Sequence, residues 1–203
     1  MTTNNFPATR SMNFIGIAAG VLMVALPFLG PWWMAVVGTG AIEIALSPFD
    51  LSMLVFGQSI HSDLVDLFLL ASKIVMIIAG ILLLLGSLSP RSWWSGRLVR
   101  FGVMKPFWAV VGMVVAVVVG AFLINNVLPN LLSNAIPGGA SIQITVPYLV
   151  GSASATIQMG SQASITAPIS LSLMPAFWVA VVAAVLGIAA RINHRRFKKA
   201  EQG

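Results

Sequence analysis

The chain contains no cysteine, and only 8% of its 203 residues carry charge. The first absence excludes disulfides, thiolate metal centres, haem attachment through a CxxCH motif and cysteine nucleophiles. The second excludes an ordinary soluble domain, in which roughly a quarter of residues are charged. A water-soluble fold of this composition would expose large apolar patches and aggregate. Catalytic and nucleotide-binding patterns are missing as well. There is no P-loop, Gly38-Thr39-Gly40 lacks the third glycine of a dinucleotide fingerprint, and the serine-rich stretch 126–173 holds no histidine to activate a nucleophile. The expectation is a protein that is not an enzyme, with no cofactor and no metal.

What the chain has is hydrocarbon. Hydrophobic residues make up 58% of it, and the mean hydropathy is +0.97. That places it among integral membrane proteins. A helix needs about 20 apolar residues to cross a bilayer. Four windows meet that need, at about 13–30, 67–88, 107–125 and 174–192. Pro27 interrupts the end of the first window and no small-x-small cleavage site precedes Trp32, so this window reads as a retained span.

The net charge of +6 resolves into a direction once it is mapped. Arg10 precedes the first window. Arg91, Arg97, Arg100 and Lys105 lie between the second and third, and Arg191, Arg195, Arg196, Lys198 and Lys199 close the fourth. Glu43, Asp50, Asp63 and Asp66 all fall between the first and second. The positive-inside rule predicts a multi-pass cell-membrane protein with segments 1–12, 89–106 and 193–203 in the cytoplasm. Segments 31–65 and 126–173 are then extracytoplasmic. The tail RINHRRFKKAEQG reads as a topogenic anchor and not as a nucleic-acid-binding arm, with His194 exposed in it. The implied partners are the lipid bilayer and other membrane proteins.

Trp32 and Trp33 fall at the outer edge of the first window. Trp93 and Trp94 follow the second, Trp108 opens the third and Trp178 lies about a turn into the fourth. Indole rings favour the headgroup layer, so all six are expected to be interfacial anchors.

The outer segments carry a different period. Ile42, Ile44 and Leu46 alternate with Ala41, Glu43 and Ala45 after the glycine turn at 38–40, which predicts a hairpin of Trp33–Val37 with Ala41–Leu46. Ser47-Pro48 is expected to end that strand. The following SMLVFGQSIHSDLVDLF reads as a loop with a short helix leading into the second span, Ser62 being its N-cap. In the second outer segment the pattern recurs around 142–146, 156–159 and 164–173, after a turn signal at Pro137-Gly138-Gly139. Isolated hairpins are marginal, so one antiparallel sheet of about five strands from both segments is expected, with a Ser/Thr/Gln-lined outer face.

Within the spans Lys73 is the unusual residue. It lies seven positions after Asp66, nearly two turns along the same helix face. Two readings stand: an intramembrane Asp66–Lys73 pair on an ion or proton path, or a lysine that snorkels to the headgroups. His61, Asp63 and Asp66 read as the solvated acidic start of a helix, where negative charge suits the dipole. Asn125 and Asn126 are expected to cap the third helix. Gly16/Gly20, Gly112/Ala116/Gly120 and Ala183/Gly187 have the small-xxx-small spacing that lets helices approach, and are expected to pack the bundle internally.

Four spans, internal termini, a short inner loop and a sheet built from two outer loops resemble the claudin-like tetraspan architecture. The resemblance is topological and covers the whole chain. That family's outer-loop signature combines Gly-Leu-Trp with two cysteines; here Pro31-Trp32-Trp33 stands and cysteine is absent. The resemblance implies lateral self-association through the outer sheet. The expected fold class is therefore integral membrane α+β, a single domain with a four-transmembrane-helix bundle and an extracytoplasmic antiparallel sheet. The expected role is structural or in assembly, against copies of itself or another envelope protein. The alternatives are an oligomeric channel or small transporter and an accessory subunit of a larger membrane complex.

Overall fold

A computed structural model describes residues 12–90, 92–127, 129, 141–159 and 163–199. Four helices form the bundle: α1 (Phe14–Ala25, continued by a 3-10 turn over Leu26–Phe28), α2 (Asp63–Leu88), α3 (Ser95–Asn126) and α4 (Pro175–Lys199). Each packs on its neighbours in chain order, and α1 closes the ring against α4. α2, α3 and the Pro175–His194 part of α4 are long and apolar enough to cross a bilayer.

α1 is shorter than its window predicted. With its 3-10 turn it covers Phe14–Phe28, about 22 Å at the helical rise, against a hydrocarbon core of about 30 Å. Pro27 has no N–H to continue the α-helical ladder, and Gly30 at φ 87° then turns the chain towards the sheet.

Small residues and a polar staple hold the bundle. Gly20 and Gly80 face each other: a Cβ on either would lie 3.0–3.1 Å from the other's carbonyl oxygen. A Cβ on Gly102 would lie 2.8 Å from the Ala79 oxygen, so α2 and α3 also meet backbone to backbone. Around these contacts sit Ala19, Met23, Ala79, Leu83, Val103 and Ala180, all fully buried. At the end away from the sheet, Asn13 is fully buried. Its Oδ1 accepts from the Gly16 N–H and the Asn193 amide, each at 3.3 Å, and its Nδ2 donates to the Ala190 carbonyl at 3.0 Å. Its own N–H donates to the Ser87 carbonyl at 3.1 Å. One asparagine therefore caps α1 and ties it to both α2 and α4.

His194 corrects the expectation of exposure, being 4% exposed. α4 continues helical to Lys199, and the spacing from Ala183 through Gly187 and Ala190 carries His194 along the inward face. There its Nε2 lies 3.3 Å from the Ser95 hydroxyl, which also donates towards the Pro90 and Ser92 carbonyls.

Seven strands form one antiparallel sheet: β1 (Trp33–Val37), β2 (Ile42–Ser47), β3 (Asp50–Val55), β4 (Gln58–Ile60), β5 (Ser141–Ile144), β6 (Gly151–Met159) and β7 (Ala163–Leu173), in the order β4-β3-β2-β1-β7-β6-β5. The expected first hairpin is present, turning through Gly38 at φ 68° and Gly40 at φ 92°. The two outer segments join at β1 and β7, where Ala35 pairs with Leu171.

β3 and β4 replace the expected loop and short helix. Ser47-Pro48 ends β2 as expected, and there the chain turns back so that Leu51, Met53 and Val55 pair with Leu46, Ile44 and Ile42. Phe56 and Gly57, at φ 49° and 76°, then make a two-residue hairpin turn into β4. Such turns need positive φ at both central residues, and Phe56 is the sole non-glycine residue to adopt it among those described. α2 follows at once as a single helix from Asp63. Ser62 occupies its N-cap position without a side-chain hydrogen bond. The turn signal at 137–139 lies outside the described residues.

Candidate functional site

The sheet has two unlike faces, and the strand period assigns residues to them. On the inner face Ala35, Val146, Ile169 and Leu171 form a buried cluster with Trp33, Val37, Ile44 and Ala155. This face lies against the second half of α3, leaving a cavity of about 160 Å³ between Trp33, Leu46 and Leu171 on one side and Ala116, Gly120 and Ile124 on the other. Asn125 fastens the join. Its Nδ2 donates to the Val146 carbonyl at 2.9 Å, and its Oδ1 accepts the Val146 N–H at 2.7 Å. Asn125 thus grips the sheet segment and does not merely cap α3, whereas Asn126 does turn back to its own helix, donating to Phe122 at 2.9 Å.

Asn125→Leu keeps the branching and heavy-atom count and strands both polar groups of buried Val146. The expected cost is about 2 kcal/mol, read as a lower unfolding midpoint in detergent, with Asn126→Leu close to wild type. Equal effects of the two substitutions would contradict the clamp.

The outer face is nearly free of charge. Ser152, Ser154, Ser170, Ser172 and Thr166 are exposed on adjacent strands. Ser152 stands opposite Ser170, and Thr156 opposite Thr166 with their hydroxyls 3.5 Å apart. Met34, Val36 and Leu54 extend the same face across β1 and β3, and Glu43 and Asp50 are its acids. β4 ends the sheet: its three residues are exposed, and no further strand pairs with it among the described residues. Its Ile60 and the adjoining turn residue Phe56 are large apolar side chains left exposed.

The charged residues segregate along the bundle. Glu43, Asp50, Asp63 and Asp66 sit in the sheet or the first turn of α2. Arg97, Arg100 and Lys105 occupy the first three turns of α3, with Arg191 late in α4. The Asp66–Lys73 pair is not formed. Asp66 is exposed, and the Lys73 ammonium lies over the Phe28 ring, 5.8 Å from its centroid. The end of the short α1 brings that ring to the same height as Lys73, so a cation–π contact takes the place of the ion pair. His61, Asp63 and Asp66 are exposed, and no three such side chains gather at metal-binding distance among the described residues.

The six tryptophans divide. Trp93, Trp108 and Trp178 are exposed and Trp94 is half-buried. Trp33 is half-buried on the inner sheet face, donating its Nε1–H to the Leu149 carbonyl at 2.8 Å. Trp32 is 0% exposed and corrects the expectation of an interfacial anchor. Its ring meets Phe49 edge-on at 5.5 Å and Phe177 at 6.4 Å, with Leu26 and Met23 in the same cluster. It is the plug between sheet and bundle. Its N–H donates to the Leu46 carbonyl, and its carbonyl accepts from Met174, so the residue extends the ladders of β2 and β7 while its side chain drops into the helices.

The comparison with known protein families finds no matching family model, and the chain has no significant sequence match among characterised proteins.

Proposed function

We propose that this is a non-enzymatic membrane protein that assembles through its sheet, with copies of itself or with another envelope protein. The outer face carries the reading. It is broad, hydroxyl-rich and almost without charge, and it ends in the exposed strand β4. Uncharged flat faces and open edges are the surfaces through which sheets pair and stack. The claudin-like arrangement of the notional four spans points the same way by analogy of architecture alone. The basic ends of α3 and α4 support a cytoplasmic placement of both termini, with the sheet outside. The bundle interior of Ala, Leu, Val and Met packs closed, which argues against a solute path through a single copy.

The natural absence of cysteine makes the test clean. Ser154→Cys and Ser170→Cys, on the outer face, are expected to form disulfide-linked dimers or heterodimers in native membranes under mild oxidation. Ile81→Cys, on the exposed side of α2, is expected to remain monomeric. A membrane-impermeant maleimide is expected to label Ser154→Cys in intact cells. Capture of one unlike membrane protein at 154 and 170 would favour the accessory-subunit form of assembly. Monomer at every position would overturn the assembly reading, and labelling only in broken cells would reverse the orientation.

A further inference from the structure

We infer that the first three turns of α3 form a binding site for the headgroup of an anionic phospholipid. Arg97, Arg100, Phe101, Met104, Lys105 and Trp108 line a groove of about 410 Å³. Their spacing of three and four residues puts all six on one stripe of the helix. Cations and large apolar groups interleave along that stripe, and both kinds are open to the surroundings.

Among the described residues the cations have no carboxylate to answer. Every described acid sits at the sheet end of the molecule, in β2, β3 or the first turn of α2. The positive groups rest on rings instead: the Arg97 guanidinium lies 5.7 Å from the Trp93 centroid and the Lys105 ammonium 5.0 Å from that of Phe101. A ring face attracts a cation without occupying its N–H donors in a salt bridge, which leaves them available for phosphate oxygens. Arg191 of α4 reaches the same stripe, its Nη1 lying 3.8 Å from the Met104 sulfur.

Helix length sets the depth. α3 has 32 residues and runs about 48 Å, against a hydrocarbon core of about 30 Å. Its C-terminal 20 residues fill the core thickness, so the turns bearing Arg97, Arg100 and Lys105 fall in the headgroup layer. The apolar members of the groove decide the source of the anion. A soluble phosphate or a nucleic acid would satisfy the arginines and leave Phe101, Met104 and Trp108 in water. A phospholipid covers both, its phosphodiester on the cations and the start of its acyl chains along Met104 and Trp108, where Trp108 is 61% exposed.

The test uses the full-length protein in nanodiscs and in mixed micelles. Native mass spectrometry with equal dioleoyl phosphatidylglycerol and dioleoyl phosphatidylcholine is expected to show phosphatidylglycerol retained at least tenfold more. At roughly fivefold per cation near an anionic surface, Arg97→Gln/Arg100→Gln/Lys105→Gln is expected to abolish that preference. Arg195→Gln/Arg196→Gln/Lys198→Gln, in the basic tail, is expected to preserve it. The wild-type protein provides a second reading that needs no variant: dibrominated phosphatidylglycerol is expected to quench tryptophan emission more than dibrominated phosphatidylcholine at equal mole fraction. Equal retention and equal quenching of the two lipids would overturn the site. So would a preference that survives the α3 variant, or one lost only with the tail variant. Co-purification of an acidic protein segment that the α3 variant releases, with no lipid preference, would assign the stripe to a protein partner and overturn the lipid proposal.

Discussion

Trp32→Ala is expected to destabilise the protein by about 3–5 kcal/mol, the range for truncating a buried large aromatic. The ring is fully enclosed and stands where sheet, α1 and α4 converge, against Phe49, Phe177 and Leu26. Its loss opens a cavity that neither layer can close, because Trp32 is held on both sides by backbone bonds to Leu46 and Met174. Trp93→Ala is the internal control. That indole is 78% exposed, and its truncation is expected to fall within about 0.5 kcal/mol of wild type, as for most exposed positions. Trp32→Phe is expected to cost less than half as much as the alanine change. It retains ring contacts with Phe49 and Phe177, and the Trp32 Nε1 has no acceptor among the described residues to lose. Denaturant or thermal unfolding in one detergent measures all three. Matching losses for Trp32→Ala and Trp93→Ala would refute the plug.

The second large effect comes from two glycines that meet a neighbouring helix backbone, set against two that face open space. Gly80→Leu and Gly102→Leu are each expected to cost about 3 kcal/mol, the upper part of the usual overpacking range. Each Cβ would press on a backbone carbonyl, Gly20 O together with the Val24 side chain in one case and Ala79 O in the other, and a helix backbone cannot rotate aside as a side chain can. Gly112→Leu and Gly120→Leu are expected to be neutral or mildly stabilising. Beyond the helix's own backbone, no described atom lies within 4 Å of a Cβ at either position, and leucine has the better helix propensity. Gly112 borders an open groove of about 300 Å³ between α2 and α3, roofed by Leu46, Ser47 and Pro48. Thermal midpoints of the four variants in the same detergent provide the comparison. Similar losses at all four positions would mean that Gly112 and Gly120 are packed as tightly as Gly80 and Gly102.

These glycines show where reading the chain reached its end. Gly16/Gly20 and Gly112/Ala116/Gly120 carry the same i, i+4 spacing, and both looked like internal packing motifs. The first pair faces α2, Gly16 against the Ser87 side chain and Gly20 against the Gly80 carbonyl, whereas Gly112 and Gly120 face open space. A glycine carries no local mark of what lies opposite it. The same holds for the tryptophans: Trp32 and Trp33 are neighbours at a helix–sheet junction, yet one is sealed in the core and the other bonds Leu149 across the sheet. Lys73 was recognisable as unusual, but its partner depended on where the short α1 stopped, and that brought Phe28 to it instead of Asp66.

The amino-acid sequence by itself determined the apolar lengths of α2, α3 and α4, the first hairpin, the separation of basic and acidic ends, and the alternation that lines one sheet face with hydroxyls. Each of these is written in a period or a composition that a few consecutive residues carry. Tertiary structure alone decided that Leu51, Met53 and Val55 join the sheet, because that depended on pairing with β2 across the Ser47-Pro48 turn. It also decided that Trp32, Asn13 and His194 are interior, and that Asn125 holds Val146. Burial and hydrogen-bond partnership are set by what another segment brings to the same place, and no local pattern encodes that meeting.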